Sequence, residues 1–498
     1  MGAYVGIDLG TTFSAVAHID ETGRPVIIHN AEGQNITPSC VARFDDEFEV
    51  GEQARKALGI DLDRVAGRFK RDMGTGKKFT LGGVEYTPID LSAEVLKKLK
   101  RDAEKQVGPI TEAVVTIPAN FSQEARDATM SAAKAAGLNV KYIINEPTAA
   151  ALYYAFKNGE ELSGIYAVYD LGGGTFDVSI IHVSGQNVDV IASNGVARLG
   201  GDDFDRKCWE IVARKFAQET GGDVDPQEYT VPDAEEEKKS LSSRKRVMAR
   251  VGRTAIEARR EEFEDAISTL IAQAEMLCET TLDEAEISPS DVRGVFLAGG
   301  STRIPAVKES VARVFGQEPI STINVDEVVA LGAALYAAYK SDGRDLSPAQ
   351  KNAIQKIKVT ESTGKCFGTL SLSFNESREE IKDVNAIIIR KGEKIPCSVT
   401  ESFYTVSDNQ TAVECTVTES TSPETDPRFV KIIWKGNLPL PPNRPRGQEV
   451  QVTFGYDDSQ MMFCRFKDVE SGKEVSVDLS MNGRDGDETG GIDKFLVE

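Results

Sequence analysis

Cysteine is sparse here and its spacing excludes a good deal. The seven cysteines, Cys40, Cys208, Cys278, Cys366, Cys397, Cys415 and Cys464, are odd in number and never form a Cys-x-x-Cys pair. A thiolate metal site is therefore not expected, and reduced, buried thiols are. Histidine is rarer still: His18, His29 and His182 lie far apart, which argues against a His-based catalytic or zinc site. No apolar run approaches the roughly 18 residues that span a bilayer. The opening Met1-Gly2-Ala3-Tyr4-Val5-Gly6-Ile7-Asp8 has no basic region or long apolar stretch, and Gly6 stands where a myristoylation signal needs Ser or Thr. It reads as neither a signal peptide nor an anchor. Positive charge is in deficit, 58 Lys and Arg against 79 Asp and Glu for a net −21, which disfavours a general nucleic-acid or anionic-membrane surface. No GxxxxGK[ST] occurs, so a P-loop is disfavoured. These absences point to a soluble cytoplasmic protein.

What is present is ordinary in bulk and informative in pattern. The 498 residues suffice for two or three domains, and 40% apolar with 28% charged residues suits a globular chain. The first signal is an internal repeat. Tyr4-Val5-Gly6-Ile7-Asp8-Leu9-Gly10-Thr11-Thr12-Phe13 resembles Tyr166-Ala167-Val168-Tyr169-Asp170-Leu171-Gly172-Gly173-Gly174-Thr175-Phe176, with 170 − 8 = 162 residues between the aspartates. Each copy is an apolar run ending in Asp-Leu-Gly, a Gly/Thr turn, then β-type residues: a hairpin with a Gly-rich turn. Two copies a domain's length apart imply two similar α/β halves.

Between them the pattern predicts a helix over 91–99 opened by a serine cap signal, a short strand 114–117, a helix holding Gln123–Ala136, and a long helix over 257–278. Val295–Gly300 reads as a buried strand entering a tight turn. Ala330–Tyr339 is an alanine-rich helix broken by Ser341-Asp342-Gly343. Beyond about residue 360 the chain turns Thr/Ser/Val-rich with short alternating runs, the pattern of a small antiparallel β domain. The expected organisation is an α/β nucleotide-binding domain over 1–342, a linker over 343–362, a β-sandwich over 363–481 and a flexible tail over 482–498.

Glycine turns can hold a phosphate chain because the backbone approaches closely and aims its N–H groups at the oxygens. Gly10-Thr11-Thr12 and Gly172-Gly173-Gly174-Thr175 supply two such turns, each preceded by an aspartate, Asp8 or Asp170, placed to hold magnesium through water. Either alone reads equally well as a plain β-turn; the matched pair favours nucleotide. A third turn, Gly299-Gly300-Ser301-Thr302-Arg303, follows a strand, and Arg303 can stack on an adenine ring.

Together these segments resemble the actin/hexokinase superfamily, and specifically the heat-shock-70 (DnaK-type) chaperones. The similarity is carried by Asp8–Thr12, Ile144-Asn145-Glu146-Pro147-Thr148, Asp170–Asp177, Leu199-Gly200-Gly201-Asp202-Asp203-Phe204-Asp205 and Gly299–Pro305, in the family's order, and is strong over about residues 3–340. It implies a duplicated actin-like ATPase with ATP or ADP, Mg²⁺ and a monovalent cation such as K⁺. By resemblance, Lys70 is the catalytic lysine near the γ-phosphate; Glu146, Asp170, Thr175 and Asp177 orient water and cations. Phe13, Glu235, Lys238, Lys239, Ser242, Arg303 and Asp326 fall where the family binds ATP. Pro118 and Arg126 look like its relay between domains. Read without the resemblance, Lys70 is a solvated lysine beside Arg68 and Arg71, Glu146 a helix-start acid, and Glu235 to Ser242 an exposed helix face.

After the ATPase, family members carry a peptide-binding β-sandwich. Phe403, Val406 and Val413 fall where the family lines its peptide channel; ordinary sandwich core is the equal alternative. The chain departs from the family in several places. No long helical segment follows the β region as a lid. The stretch Ile354-Gln355-Lys356-Ile357-Lys358-Val359 is more polar than the usual linker. Tyr142 replaces a basic residue that often meets the J-domain partner, and the segment Ser243–Glu262 is shortened where exchange factors grip. The resemblance implies an ATPase that binds extended polypeptide under nucleotide control, with a J-domain co-chaperone and an exchange factor as partners. A co-chaperone or assembly factor docking one folded partner is the alternative, and a metabolite kinase of the same superfamily a third.

Overall fold

The computed structural model describes residues 2–45, 47–58, 61, 63–159, 162–320, 324–375, 380–478 and 496–497. They form two compact units, Met1–Phe121 with Ala128–Val359, and Ser122–Asp127 with Thr360–Glu498.

The first unit is built twice on one plan. In its first half Ala3–Asp8 pairs antiparallel with Phe13–Ile19 and parallel with Ile110–Ile117; Val140–Asn145 and Pro25–Ile28 extend the sheet on either side. In its second half Ser163–Leu171 pairs antiparallel with Phe176–Ser184 and parallel with Val292–Ala298, and Asn187–Val196 lies beyond the hairpin. An isolated parallel bridge from Phe296 to Ile320 stands where the first half has its fourth strand. The helices Glu146–Asn158 and Val328–Lys340 lie between the sheets, sharing one apolar core with Tyr4, Ile144, Val168 and Phe296. Small residues let these layers close up. A Cβ on Gly332 would lie 1.7 Å from the Ala149 carbonyl oxygen, and one on Gly6 would lie 2.1 Å from the Ala334 nitrogen. The duplicated actin-like architecture with a following β domain is the fold expected from the sequence.

Local boundaries differ where capping and burial outweigh periodicity. The helix expected over 91–99 runs Pro88–Val107, because Thr87 and Asp90 form a reciprocal capping box and Ser92 is buried inside it. The long helix begins at Arg260; residues 254–259 pair instead with Arg246–Val251 as a two-stranded ribbon. The segment expected as a linker, 343–362, contains the helix Pro348–Ile354, capped by Ser347 and Gln350. Leu346 and Ile357 enter the apolar core there, and Gln350 donates to the Ile19 carbonyl at 2.8 Å, so burial holds this stretch to the first unit as far as Val359.

In the second unit, Cys366–Asn375 pairs with Glu380–Ile389 and Ala412–Ser420, and the latter with Lys431–Pro439. A second run joins Cys397–Tyr404, Glu449–Tyr456, Met462–Asp468 and Glu474–Asp478. Alternate residues of both meet in a core including Phe367, Val413, Leu438, Phe403, Phe454 and Phe466. Of the expected tail from Asn482, only Leu496–Val497 are described, as a short strand beside Leu372–Ser373; the rest lies outside the described residues.

Gly332→Ala should destabilise the first unit by about 1–3 kcal/mol through forced separation of its two central helices. Gly159→Ala, with open space around its Cβ position, carries backbone strain alone and should cost less. Urea unfolding that ranks the two the other way would contradict this packing.

Candidate active site

Each hairpin carries a carboxylate at or next to the end of its first strand, Asp8 in Ala3–Asp8 and Asp170 in Ser163–Leu171, and then turns over glycine. In the first, Asp8 pairs across the strands with Ala15; in the second, Asp170 pairs with Asp177. The two turns abut: a Cβ on Gly173 would meet Thr12 Oγ1 at 1.8 Å, and one on Gly174 would meet Thr11 Cγ2 at 2.3 Å. Only glycine allows so close an approach of one loop to the other. The turns are also pinned from behind. The Gly172 carbonyl accepts from the Gly201 amide at 3.0 Å and Ser301 Oγ at 2.9 Å; the Gly173 carbonyl accepts from the Asp202 amide at 2.7 Å; Ser39 Oγ donates to the Gly10 carbonyl at 2.8 Å. With these carbonyls occupied, their negative ends are neutralised by the protein itself.

The loops wall a cavity of about 440 Å³ in the first unit. Asp8, Lys70, Glu146, Asp170 and Thr175 line it together. Lys70, carried by the short 3₁₀ turn Phe69–Asp72, is 3% exposed; its Nζ donates to Glu146 Oε1 at 2.5 Å and lies 5.8 Å from the Phe121 ring centroid. It is a buried, paired ammonium rather than a solvated one. Glu146 is both the first residue of the helix Glu146–Asn158 and part of the cavity. Asp177, 1% exposed, stands behind the lining with Gly174; it accepts from the Ala119 and Asn120 amides, while its Oδ1 has no hydrogen-bond partner.

Crowded carboxylates resist ionisation. Burial first, and then the nearby Glu146, push Asp8 up to about 7 and Asp177 up to about 8. Asp170 is raised well above the ordinary range by burial and by Glu146, Asp177 and Asp8. Lys70 offsets only part of this negative charge, so the site favours a bound cation. Among the described residues no group of three or more His, Cys, Asp or Glu side chains could hold a metal directly. Magnesium keeps most of its waters and takes one or two carboxylates plus phosphate oxygens; Asp8 and Asp170, both in the lining, could take such an ion through water.

Gly10, Thr11, Thr12, Gly172 and Gly173 give way along the cavity to Phe13, Ser242, Gly299, Gly300, Ser301, Arg303 and Asp326. Arg303 pairs with Asp326 at 2.7 Å. On the helix Val231–Leu241, Glu235 and Lys238 are buried rather than on an exposed face; Lys239 is exposed but reaches Glu235 at 2.8 Å. Arg55, from the first half, also reaches Glu235 at 2.9 Å, and these cations hold that carboxyl down at about 2 even though burial opposes it. Sequence reasoning missed Ile36, Gly201, Asp202, Asp205, Ile304, Val325 and Val329 in the lining. Gly201 opens a 20-residue helix whose positive end favours an anion. Asp202 pairs with Arg68 at 2.7 Å and Asp205 with Lys238 at 2.7 Å. The Leu199–Asp205 motif was the available signal for these; isolated apolar residues such as Ile36 carry none.

The remaining expected residues lie elsewhere. Pro118 follows the strand Ile110–Ile117, and Arg126 is buried in the segment Ser122–Asp127, which groups with the second unit. In the β unit, Phe403 (1% exposed) and Val413 (0%) are core instead of open channel wall, because alternation along their strands turns these side chains into the apolar cluster that both strand runs share. Val406 is half-buried, its amide donating to Gln410 Oε1 at 3.0 Å.

The raised carboxyls give a sign for pH dependence. In the unfolded chain these aspartates ionise near pH 4; in the fold they keep protons up to about 7 and 8. The folded state binds more protons across that window, so ligand-free stability falls as pH rises through it. Asp177→Asn should flatten the decline of the thermal midpoint between pH 5 and 8; a slope equal to the parent's would contradict the assignment.

A family model described as Hsp70 protein matches residues 4–81 and 75–495, spanning both units. Members of that family are ATPases and ATP-dependent chaperones that bind ATP or ADP with Mg²⁺ and generally act on unfolded polypeptide with co-chaperones. With paired glycine loops over a carboxylate cluster in a duplicated α/β unit, and a β-sandwich after it, the chain belongs to the Hsp70 family.

Proposed function

We propose that this chain hydrolyses ATP slowly in the cavity and uses nucleotide state to control transient binding of extended polypeptide by its β unit. The observation that carries the first half is the direct abutment of Gly10–Thr12 and Gly172–Gly174 beside Asp8, Asp170 and Lys70. Phosphoryl transfer to water asks for positioning and charge neutralisation more than for a strong base. The glycine turns hold the phosphate chain by backbone amides. Glu146 fixes the Lys70 ammonium, which offsets charge building on the γ-phosphoryl oxygens. Thr175 and Asp177 orient the attacking water, whose proton passes to a phosphate oxygen as the γ-phosphoryl is transferred. Magnesium, which Asp8 and Asp170 would hold through water, would offset phosphate charge, and a potassium ion would be held by the same carboxylates. Glu235, Lys238, Lys239, Ser242, Arg303 and Asp326 clasp the nucleoside.

The polypeptide half of the proposal is that of a lidless chaperone: among the described residues beyond Thr360 there is no α-helix. A trapped peptide then leaves quickly. A J-domain partner and an exchange factor belong to this reading, and its setting is the cytoplasm, in keeping with seven free cysteines. A second reading has an observation of its own. Phe403 and Val413 are sealed in the sandwich core, which favours an assembly factor whose β unit docks one folded partner.

Lys70→Ala should lower single-turnover ATP hydrolysis by about 10²-fold and change ADP affinity little, since the ammonium serves the γ end. An unchanged rate would remove Lys70 from the chemistry. For the β unit, ATP should speed release of a fluorescent apolar peptide; a peptide that never binds, or leaves at the same rate with and without ATP, favours the docking reading.

A further inference from the structure

The helix Pro88–Val107 carries four cations on one stripe, Lys97, Lys100, Arg101 and Lys105. Residues three and four apart on a helix are neighbours, so these are like charges set side by side, which weakens a helix. The helix dipole accounts for Lys105 in the last turn, but its influence does not extend back to Lys97, Lys100 and Arg101. The stripe walls an open hollow of about 440 Å³ that Ala136, just past the helix Gln123–Ala135, completes. Lys100 Nζ donates to the Gly137 carbonyl at 2.7 Å, which ties the two walls together. Among the described residues Glu104 is the one acid of the lining, and its Oε1 accepts from the Ile110 amide at 3.4 Å. Lys97 pairs with Glu94 at 2.7 Å and Lys105 distantly with Asp102 at 3.9 Å. Lys100 and Arg101 have no ion pair among the described residues. The hollow is therefore cationic in a chain of net charge −21.

We propose that this hollow binds a compact anion carrying several phosphate groups. Its lining shares no residue with that of the nucleotide cleft. Phosphate oxygens only accept hydrogen bonds, and apart from Glu104 the charged side chains here only donate. Lysine serves phosphate as a point charge, and the planar fork of Arg101 can take two oxygens at once. Extent decides the class of ligand. From Lys97 to Lys105 the helix rises about 12 Å, enough for a few linked phosphates and too little for an extended polymer. The lining has no aromatic ring on which a base could stack, and its one apolar member, Ala136, is too small to anchor a peptide. The inference does not depend on the nucleotide reading.

The test is calorimetry of the full chain with sodium tripolyphosphate in metal-free buffer. One site per chain should appear at 50 mM NaCl and weaken at least tenfold at 300 mM, and inorganic monophosphate should bind at least tenfold more weakly. Lys100→Gln/Arg101→Gln/Lys105→Gln should weaken tripolyphosphate binding at least tenfold with an unchanged circular dichroism spectrum. Glu104→Gln, which removes the acid of the lining and keeps an acceptor for the Ile110 amide, should tighten it two- to fivefold, a gain that misfolding does not produce. Equal binding by the triple variant, weaker binding by Glu104→Gln, or monophosphate bound as tightly would overturn the inference. So would tighter binding of a 20-nucleotide single strand, an acidic twelve-residue peptide or phosphatidylserine vesicles that the triple variant abolishes.

Discussion

Lys70 shares the cleft with Asp8, Glu146 and Asp170, with Asp177 buried behind them, and this imbalance of buried charge is the constraint around which the first unit is arranged. Carboxylates so close repel one another, and burial removes the water that would screen them. The ligand-free chain meets the imbalance by keeping protons on Asp8 and Asp177 beyond their usual range. In the proposed function a magnesium–nucleotide complex would meet it differently, by bringing cation and phosphates as one unit. The short Lys70–Glu146 bond keeps the ammonium in place under either condition. A chemically useful site is in this sense an electrostatically uncomfortable one, held by a scaffold that can carry the cost.

The scaffold carries it through close packing of small residues. Glycine at 6 and 332 draws sheet and helices together, and glycine at 173 and 174 lets one hairpin turn rest against the other. The duplication is symmetric in topology but not in chemistry. At equivalent cross-strand positions the first hairpin has Ala15 and the second has Asp177. One repeat therefore contributes a loop and a single carboxylate, and the other a loop and two. In the proposed mechanism the second half orients the water, and both halves hold the phosphates.

How much of this could be read beforehand depended on whether the cause was local. The paired Asp-Leu-Gly turns are local in sequence and visible twice, so the duplication and the loops of the cleft were legible. The burial of Lys70 was not. Flanked by Arg68 and Arg71 it looks solvated, and what buries it is Glu146, 76 residues away. Helix starts moved for a related reason: Thr87 caps through Asp90, outside the apolar run that signals the helix. The ribbon Arg246–Arg259 alternates as strands do, but its last residues also fit the start of the long helix expected over 257–278, and only pairing with Arg246–Val251 decides between them. The channel set expected in the β unit shows the converse limit. Phe403 and Val413 have the composition of either a channel or a core, and only the packing of the two strand runs against each other settles where they point.

Titration calorimetry of the full chain with ADP, with Mg²⁺ and then with EDTA, reaches the central claim most directly. The account predicts saturable binding of one nucleotide per chain that weakens at least tenfold when magnesium is removed. No binding heat at millimolar Mg·ADP, or affinity indifferent to magnesium, would contradict it.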